Sequence, residues 1–401
     1  MFAKFENHIA SIFFILALFP FVSFGTNSMD SQPFYIFFAM LSFLFFASSG
    51  LIFKESLNLI ILTIIVLLTI FLTSTTFDFI FIRGVASYLG FFITLIVSIV
   101  YFERFGIPVK FIVISNIIYL FVGILQFLYD PLIANFLVLP NGYPNMIRGA
   151  TSLTPEHTFY GIVLFFFSWI NLIIYDYKPP KLISILIIIN LFSIVFVAKS
   201  SMVIVFLLVA AFVFLLRNLK RKVVFKQFFI TSIGLLVLLY SFIWLFPEAR
   251  FARLVTHGAS LEIGFIDGII AVIKRDGSIN DRVLNAVFPY FGIVLNYGLP
   301  GGLHSFYDMS LILVEYFGGF FWSGLGSNKI LSFIGTIIYE LGLIGILSIS
   351  YLYWLVKDSN NHNRIFELIL LFAVLNSAIA LAFSLVPILI AIMYFKKISD
   401  D

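Results

Sequence analysis

The chain has 401 residues, 62% of them hydrophobic and 11% charged, with a formal net charge of +4. Soluble domains carry roughly 25% charged residues, so composition excludes a soluble globular fold, and a mean hydropathy of +1.11 reads as a membrane-embedded chain. The small positive excess fits membrane topology and not nucleic-acid binding, and the lack of cysteine removes disulfides and thiolate chemistry.

A bilayer core needs about 20 apolar residues per helix. The first apolar run, His8 to Gly25, lacks a small-x-small cleavage site and is followed by further runs, so it reads as a first helix and not a secretory signal. Further spans are predicted near 33–53, 57–74, 79–102, 108–129, 158–176, 182–198, 201–216, 227–246 and 330–356. The last run, Ile365 to Phe395, is interrupted by Asn376, Ser377, Ser384 and Pro387 and divides into two short helices with a tight turn. The expectation is a single all-α polytopic membrane domain, residues 1–401, of about 12 spans.

Basic residues in short loops set the orientation. With the N-terminus inside, the inner segments hold 15 of the 24 Lys and Arg residues, among them the cluster Arg217, Lys220, Arg221, Lys222 and Lys226, while the outer connections at 26–32 and 74–78 hold none. Two outer connections are long: 130–157 and 247–329. Connections beyond about 12–15 residues are usually functional when ordered. In the second, the spacing from Leu261 to Lys274 predicts an amphipathic helix lying at the outer interface or capping the bundle. Val283–Leu299 and Phe306–Leu325 are broken by Pro, Gly and Asp and read as re-entrant or half-inserted helices, while an extra pair of full spans would preserve the same topology.

Because biogenesis disfavours outward positive charge, an outer Arg is informative. Arg83 lies about one turn inside the outer end of its span, where it either faces a wet interior or snorkels and pairs with Asp78. The first loop carries Arg148, Glu156 and His157 in MIRGATSLTPEHTFYG. Pro155 can open the next helix, which puts Glu156 and His157 on its first turn; a carboxylate there also suits the helix dipole without any further role. The large loop carries Arg250 and Arg253 three apart, Arg282 beside Asp281, and His304 among glycines. Lys199 sits on a very short outer turn as a boundary residue. Guanidinium groups bind phosphate oxygens bidentately and stay charged, which suits a pyrophosphate. The scattered histidines and carboxylates give no metal-ligand spacing, and no nucleotide fingerprint is present, so no metal or cofactor is expected.

At these residues the chain resembles the O-antigen/capsular polysaccharide polymerase (Wzy) family, which is related to the O-antigen ligases. The segment from Arg148 through Glu156 is similar to the family's Arg followed by an acidic-Pro element at a helix start. AKSSMVIV, from Ala198, is similar to its small-polar turn. SINDR, ending at Arg282, is similar to its Ser-x-x-x-Arg, and the segment from Ser327 to Gly345 is similar to its late Glu-x-Gly helix, here Glu340 and Gly342. Pro-Glu-His replaces the family's Glu-Pro-Ser, and Ser327-Asn328 stands where ligases carry His-Asn, which favours polymerase over ligase.

The resemblance implies a membrane glycosyltransferase of GT-C-like architecture in the bacterial inner membrane, its active site facing the periplasm. Such an enzyme joins undecaprenyl-pyrophosphate-linked oligosaccharide repeat units en bloc, without metal, alongside a Wzz-type chain-length regulator. Arg148 and Arg282 would hold the donor pyrophosphate, with Arg83, Arg250, Arg253 and His304 around it. Glu156 or His157 would take the acceptor proton. A ligase and a lipid-linked oligosaccharide flippase are the alternatives.

Overall fold

The computed structural model describes residues 2–23, 32–50, 54–138, 149–218, 264–325, 328–358, 361–377 and 379–400, with isolated positions between 234 and 256. Among the described residues it is helical, with no strand. Four helices are long and apolar enough to cross a membrane: α3 (Lys54–Thr73), α4 (Phe79–Phe105), α5 (Val109–Leu128) and α6 (His157–Ile174). On α3 the polarity is inside-out: the hydroxyls of Ser56, Thr63 and Thr69 are buried while Ile61, Ile64, Leu68 and Leu72 are exposed. Such a face is a liability in water and suits lipid.

The chain divides into two compact units. The first holds α1 (Phe2–Leu18), α2 (Phe34–Ser48), α4 from Val97 on, α5, α6, α7 (Lys181–Phe192), α8 (Ser201–Asn218) and α15 (Leu385–Asp400). The first helix starts earlier than the hydropathy expectation and ends at Leu18, not Gly25. Its core is aromatic: Phe14 stacks on Tyr101 at 5.9 Å and meets Phe102 edge-on at 5.7 Å. At one end of this unit Glu6, buried, pairs with Arg104 at 2.6 Å and accepts from Ser49, joining α1, α2 and α4. Lys396 ties α15 to Asp176 at 2.7 Å. A π turn, Ser193–Val197, extends α7.

The second unit holds α3, α4 up to Ile96, α9 (Phe265–Arg275), α10 (Gly277–Leu295), α11 (Phe306–Tyr316), α12 (Phe333–Leu341), α13 (Leu343–Val356) and α14 (His362–Leu375). The run at 330–356, expected as one span, is broken at Gly342. Nine residues make α12 about 14 Å long, half of what a crossing needs. Contacts fix its direction. Phe91 of α4 packs on Phe333, and Tyr88, one turn earlier on α4, bonds Glu340, so α12 runs antiparallel to α4. The chain then doubles back, because Gly345 of α13 lies against the Ile337 carbonyl. Beside α12, and parallel to it, runs α10: Pro289 faces Gly335 and Gly292 faces Tyr339. The stretch 306–325 is helical only as far as Tyr316.

Amide side chains hold the connection after α11. Asn280, fully buried, accepts from the backbone of Trp322 at 2.9 Å and Ser323 at 3.0 Å and donates to Phe320 O at 3.1 Å and Ile273 O at 3.3 Å. Asn285 accepts from Leu331 N, and Asn328 from Tyr307 N, each at 2.9 Å. Asn280→Ala strands two backbone N–H groups, each costing about 1–3 kcal/mol when left without a partner. A fall in melting temperature of several degrees in detergent is expected, and Asn280→Ala melting with the wild type would show that this network does not hold the segment.

Candidate functional site

In the first unit the residues of interest gather at the start of α6. Gln126, near the end of α5 and buried, grips the loop before it. Its carbonyl accepts from Thr151 N at 3.1 Å and Ser152 N at 2.6 Å, and its amide donates to Ser152 O at 3.2 Å and Ile133 O at 2.7 Å. Ser152 in turn donates to Tyr119 O at 2.7 Å. The hydroxyl of Thr154 spans Thr151 O and Glu156 O, 2.7 Å to each. The segment is therefore fixed by side chains that satisfy its backbone.

This anchoring sets Gly149 and Ala150 against the turn before α8. Ala150 N donates to Val197 O at 2.9 Å, and Gly149 has φ +103 with its Cα directly over the Ala198 carbonyl, so no side chain fits there. Lys199 follows at once, in the left-handed region at φ +50, its ammonium 5.6 Å from the centre of the Phe127 ring. Partial burial draws the ammonium below the ordinary lysine range. Ser200 lies against Gly161, one turn into α6. Ala252, fully buried, packs with Val195 and Ile204, which brings exposed Arg253 to the neighbourhood of the same turn.

Glu156 is the residue before α6, in extended conformation, and His157 is its first residue; both are half-buried. The helix starts two residues after Pro155, and the Glu156 side chain does not cap it. Arg148 and Arg250 lie outside the described residues. Lys199, read from sequence as a boundary residue, stands on the turn against which Gly149 and Ala150 pack.

In the second unit, Asp78 caps α4 through Phe81 N at 3.0 Å and stands 3.6 Å from His304 Nε2. Leu303 sits on Gly84 and Gly302 on the Thr73 carbonyl, so exposed Arg83, Asp78 and His304 share one end of the helix pair α3–α4. Arg282 stands elsewhere. It is half-buried on the second turn of α10, ten residues before Gly292, which meets Tyr339. Arg83 is five residues before Tyr88, which meets Glu340. Since α10 runs antiparallel to α4, a rise of 1.5 Å per residue separates the two arginines by roughly 20 Å. The expectation that Arg83 assists Arg282 at one pyrophosphate finds no support in this geometry.

Around Arg282, Asp276 caps α10 through Ile279 N at 2.9 Å, and Asp281 accepts from Asn285 Nδ2 at 2.9 Å. Burial pushes the Asp281 carboxyl up, and the adjacent Arg282 charge and the Asn285 bond pull it back. The predicted amphipathic helix is present as α9, and its last turn is tied down: Trp322 Nε1 donates to Lys274 O at 2.7 Å and Lys274 lies 5.4 Å over the Phe320 ring. Comparisons with protein-family models, with curated proteins and with solved structures return no match for this chain.

Proposed function

We propose that the chain is a membrane glycosyltransferase of the O-antigen/capsular polysaccharide polymerase type, joining polyprenyl-pyrophosphate-linked repeat units at the outer face of a bacterial inner membrane. The observation that carries this reading is the packing of Gly149 and Ala150 on Val197 and Ala198. It brings parts of two segments with family resemblance, Gly149–His157 and Ala198–Ser201, to one place at the start of α6. A cation on the short turn, acid and imidazole groups at Glu156 and His157, and Arg253 nearby supply what transfer from a pyrophosphate requires: donors for the leaving group and a proton acceptor for the attacking hydroxyl.

In this reading Arg148 and Lys199 hold the donor pyrophosphate and Glu156 or His157 takes the acceptor proton. Arg83 and His304 form a separate patch at the outer end of α3 and α4, and Arg282, roughly 20 Å away along the antiparallel α10, takes no part in an outer site. About 12 crossings with the N-terminus inside complete the topology, with the first long loop and the Arg83–His304 end of α3 and α4 outside.

The test uses the full chain in vesicles with a synthetic lipid-linked repeat unit. A ladder of lengthening lipid-linked products supports polymerisation. A single transfer to a lipid A-type acceptor replaces it with ligation, and movement of the unit across the vesicle wall without a new glycosidic bond replaces it with transport. Arg148→Ala that inserts normally and still makes the full ladder removes the pyrophosphate assignment.

A further inference from the structure

The first unit contains a seam of polar side chains that the proposed chemistry does not use. Three helices line it. On α5 the buried face is Ile112, Ser115, Asn116, Tyr119, Leu120, Gly123 and Gln126, so amide and hydroxyl groups recur every three or four residues on the side turned inward. On α6 the buried polar residues are Ser168 and Asn171, and on α7 and the π turn they are Asn190 and Ser193.

The seam has three tiers. At the top the Tyr160 hydroxyl lies directly against Gly123 and is hydrogen-bonded to Ser193. In the middle Tyr119 meets the Phe167 ring at 5.9 Å, while Asn190 Nδ2 donates to Ser168 Oγ at 2.9 Å. Since α6 descends from Tyr160 to Phe167 as α5 goes back from Gly123 to Tyr119, the next turn down brings Asn171 level with Asn116. From Tyr160 to Asn171 the seam is about 16 Å long.

Along it, five buried side-chain atoms lack a partner: both amide atoms of Asn116, the Tyr119 hydroxyl, Asn171 Oδ1 and Asn190 Oδ1. Asn116, Asn171, Asn190, Tyr119 and Tyr160 are fully buried. Polar atoms this deep are almost always satisfied, and one left dry costs as much as a lost hydrogen bond. Scattered orphans of this kind would be local defects. Five on one seam, beside a π turn that opens the α7 backbone, have a common cause.

We propose that the seam between α5, α6 and α7 is a binding site for a file of ordered water molecules. Each tier offers the two to four polar groups that a buried water needs, with donors and acceptors on all three helices. The file begins one turn below Glu156 and His157, and within a membrane span such polar lines mark routes for protons or ions. The proposal stands apart from the reading of the chain as a polymerase, since any reaction or none at the start of α6 leaves the seam as it is.

Hydroxyl-radical footprinting of the full chain in lipid nanodiscs tests it, because radicals formed from bound water modify the side chains beside that water. Tyr35 is as buried as Tyr119 and Tyr160 and serves as the dry reference. Tyr119 and Tyr160 are expected to label at least three times faster than Tyr35. Equal rates would overturn the proposal, whether the five atoms stay dry or turn to pair with one another. The double substitution Asn116→Leu, Asn190→Leu is expected to bring Tyr119 and Tyr160 down toward the Tyr35 rate; undiminished labelling in a folded variant would place the water elsewhere and also overturn it. Should that variant fail to fold, the wild-type comparison decides alone.

Discussion

Gly342→Ala is expected to leave little folded protein. Gly342 joins α12 to α13 at φ +59 and ψ −135, a region open in practice only to glycine. Space is lacking as well. A Cβ there would stand 2.5 Å from Gly298 O, 2.6 Å from Pro300 N and 2.7 Å from Leu299 C, all backbone atoms of a segment that donates Gly301 N to Tyr339 O and Gly302 N to Glu340 O. Neither side can rotate away. Conformational strain and overpacking together come to roughly 4 kcal/mol, a large part of the margin of an ordinary domain. The readout is the monodisperse fraction and melting temperature in detergent. Gly50→Ala is the control, since Gly50 also has positive φ, +68, but nothing within 4 Å of the added atom. It should lose only about 1–2 kcal/mol. Equal melting of the two variants would mean that the loop does not press on Gly342.

That break was invisible to hydropathy. The residues from Phe333 to Val356 are largely apolar, and Glu340 is the only charged one among them. The runs that became α3, α4, α5 and α6 were legible to within a few residues because length and continuous apolarity are what a crossing demands. A helix that stops halfway obeys a different demand, the left-handed backbone of one glycine and a loop folded back onto it, and neither leaves a mark in a hydropathy window. The polar seam left a mark that was passed over: Asn116, Asn171 and Asn190 each stand alone within an apolar run, where an amide is costly unless it meets a partner.

The candidate site was legible in part for a similar reason. Outward cations stand out against the usual sorting of charge, so Arg83, Arg282 and Arg253 could be picked from the sequence. Which of them share a place could not, because Arg83 and Arg282 sit at opposite ends of antiparallel helices. Asp281 illustrates the limit. It neighbours Arg282, whose charge acts on it, and its carboxylate also accepts from Asn285 and lies against Gly324, so it takes part in the network that holds the connection after α11.

Lys199→Ala is expected to lower polymer formation by about 10²–10³-fold with little change in stability, the loss found when one preorganised donor to a developing oxyanion is removed. Alanine keeps the backbone strain of φ +50, so the two proteins differ chiefly in the amine. Lys199→Gly separates the effects further: glycine relieves the left-handed strain and removes the same amine, so melting temperature holds or rises while activity falls. A lysine that served only to hold the turn would give the opposite pattern, with activity following stability. The pH profile gives a third reading. Burial lowers the affinity of Lys199 for its proton, so its charge is lost as pH rises sooner than for an exposed lysine, and activity should decline on the alkaline side. Lys199→Arg keeps its charge there and should shift that decline to higher pH, even if the larger guanidinium lowers the rate at neutrality. An alkaline limb unmoved by the arginine would assign the titration to another group and remove Lys199 from the phosphate site.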